Sequence, residues 1–98
     1  MRRFIITRKS KDILAINLKY YRYQSNLSQE KFAEAIDTTF LYEYQLEKGK
    51  RNPSVNMLDK LSTNISKLLD CNITSADLLS YDEKKIISSK RIDKRNSN

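Results

Sequence analysis

The sequence predicts an all-α domain of five helices, and three observations carry that prediction. The 98 residues include one glycine and one proline, too few for the many tight turns of a sheet. Apolar residues recur at three- and four-residue spacing, the period of a helix face. Ser, Thr, Asp and Asn stand where that periodicity stops and restarts, which is where they cap helices. A chain of this length forms one domain with one modest core. It divides into a basic N-terminal arm over residues 1–11, the main domain over residues 12–80, and a basic C-terminal segment over residues 81–98, which is helical at first and then disordered.

Each helix follows from its own residues. Ser10 is the expected N-cap of the first, with Asp12 in its first turn. Leu14, Leu18 and Tyr21 then keep helical spacing beside Ile13, giving a helix over about 11–24. Asn26 turns the chain. Ser28 caps the second helix, with Lys31 where a full capping box would have Glu. Phe32, Ala33 and Ile36 form its apolar face, and it ends near Ile36. Asp37 suits a turn that needs a left-handed residue. Thr38 or Thr39 caps a third helix running from about Phe40 to Lys48, and Gly49 stands at its C-terminal end, where φ is positive. Lys50, Arg51 and Asn52 form an exposed loop before Pro53 or Ser54 opens the fourth helix. Its stripe of Val55, Leu58, Leu61, Ile65 and Leu68 carries it to about Leu69. Thr74 or Ser75 caps a short fifth helix with Leu78 and Leu79. Ile86, Ile87 and Ile92 suit a further helical stretch before a disordered end.

Composition excludes several classes of function. There is no histidine, and Cys71 is the only cysteine, so nucleophilic and metal-based chemistry lacks its usual residues. The acids are scattered over helix surfaces rather than paired. No enzyme, no metal, no cofactor and no small-molecule ligand are expected. No run approaches the roughly 18 apolar residues of a membrane span. The stretch Phe4, Ile5, Ile6 is too short for a secretory signal, so a cytoplasmic protein is expected.

Charge points to a partner. The net charge is +7 and it lies at the ends. Residues 1–12 carry Arg2, Arg3, Arg8, Lys9 and Lys11 against Asp12 alone, residues 81–98 carry six basic against three acidic groups, and the stretch between is balanced. A neutral body with basic ends suits a polyanion, and equally suits solvated tails that keep the chain soluble.

The second and third helices, joined by a turn of three to four residues, have helix-turn-helix spacing. The segments LSQEKFA and LEKGKRNPS at this separation resemble the Cro/C1-type regulators, also called the Xre family, over about residues 13–80. The resemblance implies a compact five-helix, lambda-repressor-like DNA-binding domain that dimerises and reads a DNA operator through its third helix. Thr39, Phe40, Leu41, Tyr44 and Gln45 are the candidates for base contact, Gln45 by bidentate pairing with adenine and Phe40 or Leu41 against thymine methyls. Core packing is the competing role for Phe40, Leu41 and Tyr44. Ser28, Gln29, Lys48, Lys50, Arg51 and Asn52 are the candidates for phosphate contact, Gln29 by the family's habit and the loop by its charge. The family pattern also implies an ion pair between Arg22 and Glu47, and dimerisation around the fifth helix, with Leu68, Leu69, Leu78 and Leu79 as interface candidates.

Two positions depart from the family. Glu43 occupies a site where an apolar core residue, commonly Ile, is usual, and a buried unpaired Glu costs several kcal/mol. Either the third helix is rotated so that Tyr42 or Tyr44 fills the core, or Glu43 reaches a cation. Asp37 stands where Gly is frequent, a mild change. The expected function is a sequence-specific, homodimeric transcriptional regulator on a two-fold related double-stranded DNA operator, autoregulatory in the manner of a restriction–modification controller or a phage-type repressor, with RNA polymerase as a further candidate partner. An antitoxin whose main partner is a protein toxin is the alternative, followed by a nucleic-acid module without sequence preference. The arm MRRFIIT suits either a DNA-binding arm or a β-like segment packed on the body or the partner.

Overall fold

The computed structural model describes residues 9–85. Helices α1 (Ser10–Ser25), α2 (Gln29–Ala35), α3 (Phe40–Glu47), α4 (Val55–Leu69) and α5 (Ser75–Leu78) follow in order, with no strand among the described residues. The all-α, five-helix expectation is met. Both the arm's first eight residues and the stretch with Ile86, Ile87 and Ile92 lie outside the described residues.

Local chemistry sets most of the boundaries. The hydroxyls of Ser28, Thr39, Ser54 and Thr74 accept the backbone N–H groups of Lys31, Tyr42, Met57 and Asp77, satisfying donors that a helix start leaves free. Thr74 and Asp77 complete a reciprocal capping box. Asn26, Asp37 and Asp70 take left-handed φ values of 61°, 63° and 53° at the ends of α1, α2 and α4, a conformation that short polar side chains tolerate. One expected cap is absent. Lys9, not Ser10, is the N-cap of α1, and no side chain caps that end. Ser10 is already helical, so α1 begins inside the stretch assigned to the arm.

α1 packs against all four other helices. Its Leu14, Leu18 and Tyr21 meet Phe32 and Ile36 of the α2 region, Leu46 of α3, Leu58, Leu61 and Ile65 of α4, and Ile73 and Leu78 near α5 in one core. Three polar contacts fix the angles between helices. Asn64 Nδ2 donates to the Ile36 carbonyl at 2.9 Å, tying α4 to the end of α2. Ser66 Oγ accepts the Ile73 N–H at 2.8 Å and folds the chain back after α4. Asn17, fully buried, donates through Nδ2 to the carbonyls of Leu78 at 2.7 Å, Ser80 at 3.0 Å and Asp77 at 3.2 Å.

Two apolar assignments change. Val55 is 72% exposed at the first turn of α4, ahead of the core, and Met57 packs partly against the core instead. Leu78 is wholly buried, so it fills the core and is not free to form an outer interface.

Candidate nucleic-acid interface

The turn between α2 and α3 is built by backbone bonds. Thr38 N–H donates to the Ala33 carbonyl at 2.9 Å and Asp37 N–H to the Glu34 carbonyl at 3.1 Å, the paired closure that a left-handed residue permits at a helix end. α3 then starts at the Thr39 cap. It ends in the same way, with Gly49 N–H on the Leu46 carbonyl at 3.1 Å and Lys50 N–H on the Gln45 carbonyl at 2.9 Å. Gly49 has φ 70°, and a Cβ there would lie 2.7 Å from Asp12 Oδ1. Left-handed backbone favours glycine here, and a side chain would also have to displace the exposed Asp12 carboxylate. The backbone bond from Lys50 to Gln45 fixes where the basic loop leaves the helix.

α3 is not rotated. Leu46 is buried, and Glu43, one turn earlier, keeps the inward position with no exposed surface. Phe40, Leu41 and Tyr44 consequently face outward, at 49%, 60% and 40% exposure. Both sequence alternatives for Glu43 are thereby replaced: neither tyrosine fills the core, and the hydrogen-bond donor to its carboxyl among the described residues is an amide, not a cation. Gln29 Nε2 donates to Glu43 Oε1 at 3.4 Å, while Oε2 has no partner.

Arg22 of α1 reaches Glu47 of α3 in bidentate fashion, Nε to Oε2 at 2.7 Å and Nη2 to Oε1 at 3.0 Å. Their side chains are 14% and 3% exposed. Burial alone disfavours the Arg22 charge, but the Glu47 hydrogen bond and negative charge lead the interactions that outweigh it, and the guanidinium is held protonated more firmly than usual. Glu43 moves the other way. Burial first, then the neighbouring Glu47, push its carboxyl up to about 9 against the pull of Arg22 and Gln29.

The remaining candidates are exposed or half-buried. Ser28 is exposed, with its hydroxyl occupied as a cap, and Gln29 is half-buried at the first position of α2. Thr39 is exposed and Gln45 half-buried. Lys48, Lys50, Arg51 and Asn52 are all exposed. The Phe40 and Tyr44 rings lie 6.1 Å apart, and Lys48 Nζ sits 5.4 Å from the Tyr44 ring, so the three form a ladder at four-residue steps along α3. The Arg51 guanidinium lies 4.8 Å from the Tyr42 ring. Sequence reasoning missed this role of Tyr42 as a platform for the loop arginine, and the contact of Gln29 with Glu43. Of the four interface candidates, Leu68 and Leu69 are half-buried against the core and Leu79 is on the surface.

Comparison with known proteins agrees with this architecture. A family model described as Helix-turn-helix matches residues 18–74. No curated protein matches the sequence at a significant level. The fold is similar to that of a hypothetical transcription factor, NHTF, from Neisseria, with a TM-score of 0.67 and 16% identity over 90% of this chain and 94% of that one. It is also similar to the clp gene regulator ClgR from C. glutamicum, with a TM-score of 0.58 and 20% identity over 88% of this chain and 97% of that one. At these identities the likeness is one of fold.

Proposed function

The chain belongs to the Cro/C1-type helix-turn-helix family, and from that premise we propose that this DNA-binding transcriptional regulator works as a cytoplasmic homodimer on a two-fold related operator, its own promoter included. The observation that carries the reading is the outward face of α3. Phe40, Leu41 and Tyr44 expose large apolar surface on a helix that is capped at both ends and braced from behind by Arg22 and Glu47. Such surface without a covering partner marks a binding site, and the basic rim of Lys48, Lys50 and Arg51 matches a phosphate backbone.

In this reading α3 lies in the major groove with its N-terminal residues at the bases. Phe40 and Leu41 touch thymine methyls, and Gln45 pairs with an adenine edge. Ser28, Gln29 and the 48–52 loop hold the flanking phosphates. Leu79, with exposed Val55 and Tyr81, supplies apolar surface for the second subunit, and Leu68 and Leu69 extend it.

Fluorescence anisotropy tests the reading, with the duplex upstream of the protein's own coding region and a scrambled duplex, both titrated across salt. Specific binding at least about 1,000-fold tighter to the first supports a self-regulating operator protein. Equal weak binding with a steep salt slope would reject it. Sedimentation of the free protein tests the dimer, and co-purification with an unrelated small protein would favour the antitoxin alternative.

A further inference from the structure

Glu43 is a buried carboxyl whose neighbours do not suit a charged group. Buried polar atoms normally each have a partner, yet Oε2 has none and Oε1 has only the Gln29 amide. Among the described residues, the charged groups facing it are Arg22 from α1 and Glu47, one turn further along α3; α2 contributes the Gln29 amide. Arg22 directs Nε and Nη2 to Glu47. Two carboxylates beside one guanidinium are costly to ionise together where both are buried, and the pair relieves that cost when one of them keeps its proton. Glu47 has the guanidinium, so Glu43 is the one left neutral, in accord with the upward push on its titration. A neutral carboxyl offers a carbonyl that accepts and a hydroxyl that donates. The carbonyl meets Gln29.

We propose that neutral Glu43 is a positioning residue for DNA contact: its Oε1 receives one N–H of the Gln29 amide at the start of α2 and leaves the other N–H for a backbone phosphate. The inference rests on the DNA-binding reading and adds to it the group that aims Gln29. A primary amide has two N–H donors, and pinning one fixes the direction of the other. The arrangement also couples two tasks. The Arg22–Glu47 pair braces α3, and through Glu43 the same cluster reaches the first residue of α2, so the phosphate contact and the recognition helix are set by one buried group of side chains. Ionised Glu43 places a negative charge behind Gln29, where it opposes an approaching phosphate. Affinity for DNA therefore falls as this carboxyl loses its proton.

The test uses the full chain and a random-sequence duplex at low salt, because a phosphate contact does not depend on sequence. Glu43→Leu, Glu43→Gln, Gln29→Ala and the double variant Glu43→Leu/Gln29→Ala are compared by anisotropy, with circular dichroism confirming that each is folded. At pH 7, Glu43→Leu and Gln29→Ala each weaken binding about five- to tenfold, and the double variant is no weaker than either, since all remove one contact. Glu43→Gln, which retains the carbonyl, binds within about twofold of the parent. Between pH 7 and pH 9 the parent loses affinity relative to Glu43→Gln, in step with the Glu43 13Cδ titration followed by NMR. The proposal is overturned if the two single effects multiply in the double variant, if Glu43→Leu binds like the parent while Gln29→Ala does not, or if 13Cδ titrates in the ordinary carboxylate range. Failure of the DNA-binding reading looks different, because the parent protein itself then binds no duplex at any pH.

Discussion

Arg22 and Glu47 are 25 positions apart and meet through two parallel hydrogen bonds of 2.7 and 3.0 Å with little exposure to solvent. The pair ties the C-terminal half of α1 to the last turn of α3. Removing one member of such a pair strands the other charge in a dry site. Arg22→Ala is expected to lower stability by about 3 kcal/mol in urea denaturation. A loss below about 1 kcal/mol would mean that the two groups behave as independent surface charges.

Glu43 gives a prediction with a definite sign. Its carboxyl moves from 4.5, the value for an unperturbed glutamic acid, to about 9 in the fold, so the folded chain holds a proton that the unfolded chain releases. The stability this group provides is complete below about 4.5 and is lost as pH rises through about 9. At pH 7 the loss is on the order of 3 kcal/mol. Glu43→Gln removes the dependence. It should raise stability at pH 7 by about 1–3 kcal/mol, raise it more at pH 9, and change little near pH 4. A gain of equal size at all three values would show that Glu43 carries its charge in the fold.

Asn17 is the clamp on α5. Its single amide nitrogen serves three carbonyls, those of Asp77, Leu78 and Ser80. Asn17→Leu puts an apolar group of similar size against them and removes the side-chain donor from the Leu78 and Ser80 carbonyls, while the Asp77 carbonyl keeps the Ser80 N–H. A cost of about 2–3 kcal/mol is expected. Amide hydrogen exchange should rise in residues 75–80 well before it rises in α2 and α3, and uniform loss of protection would count against a local clamp.

The α3 surface separates base reading from phosphate contact. Gln45→Ala should relax preference at one base pair by about 1–3 kcal/mol, while Lys50→Ala should weaken all duplexes alike and lower the salt slope by about 1. An unchanged specificity profile for Gln45→Ala would shift base reading to Phe40, Leu41 and Tyr44.

Gly49→Ala combines two penalties. The backbone is left-handed, and the new Cβ would approach Asp12 Oδ1 to 2.7 Å. A loss of about 1–2 kcal/mol is expected. Asp12→Ala in the same chain should recover the steric part and leave the backbone part. No recovery would place the whole cost in the backbone.

Apart from the start of α1, where Ser10 is not the cap, the sequence made the caps, the left-handed Asp37 and the glycine stop legible because each is settled within four residues. The family resemblance extended this to Arg22 and Glu47, which spacing alone could not pair. Other features depend on where distant backbone arrives. Asn17 sits among apolar residues and looks like an interruption of the stripe, yet its acceptors lie some sixty positions on. Leu78 and Leu79 are the last residue and the C-cap of a four-residue helix, too short for periodicity to say which one is inside. Glu43 was recognisable as an anomaly at an inward position. Its resolution needed the third dimension, because the neighbouring cation, Arg22, directs Nε and Nη2 to Glu47, and because a proton can replace a counter-ion.

α1 holds α5 through Asn17 and α3 through Arg22, and these two attachment points are five positions apart, about 7.5 Å along the axis. In a dimer joined through α5 that short rigid segment works as a gauge block between the subunit contact and the reading head. The distance and rotation between the two reading heads are then machined into one helix rather than left to a linker. Inserting a single base pair between the half-sites turns one of them by about 35° around the duplex. A gauge block cannot follow that turn, so such an operator would be gripped by one subunit at a time.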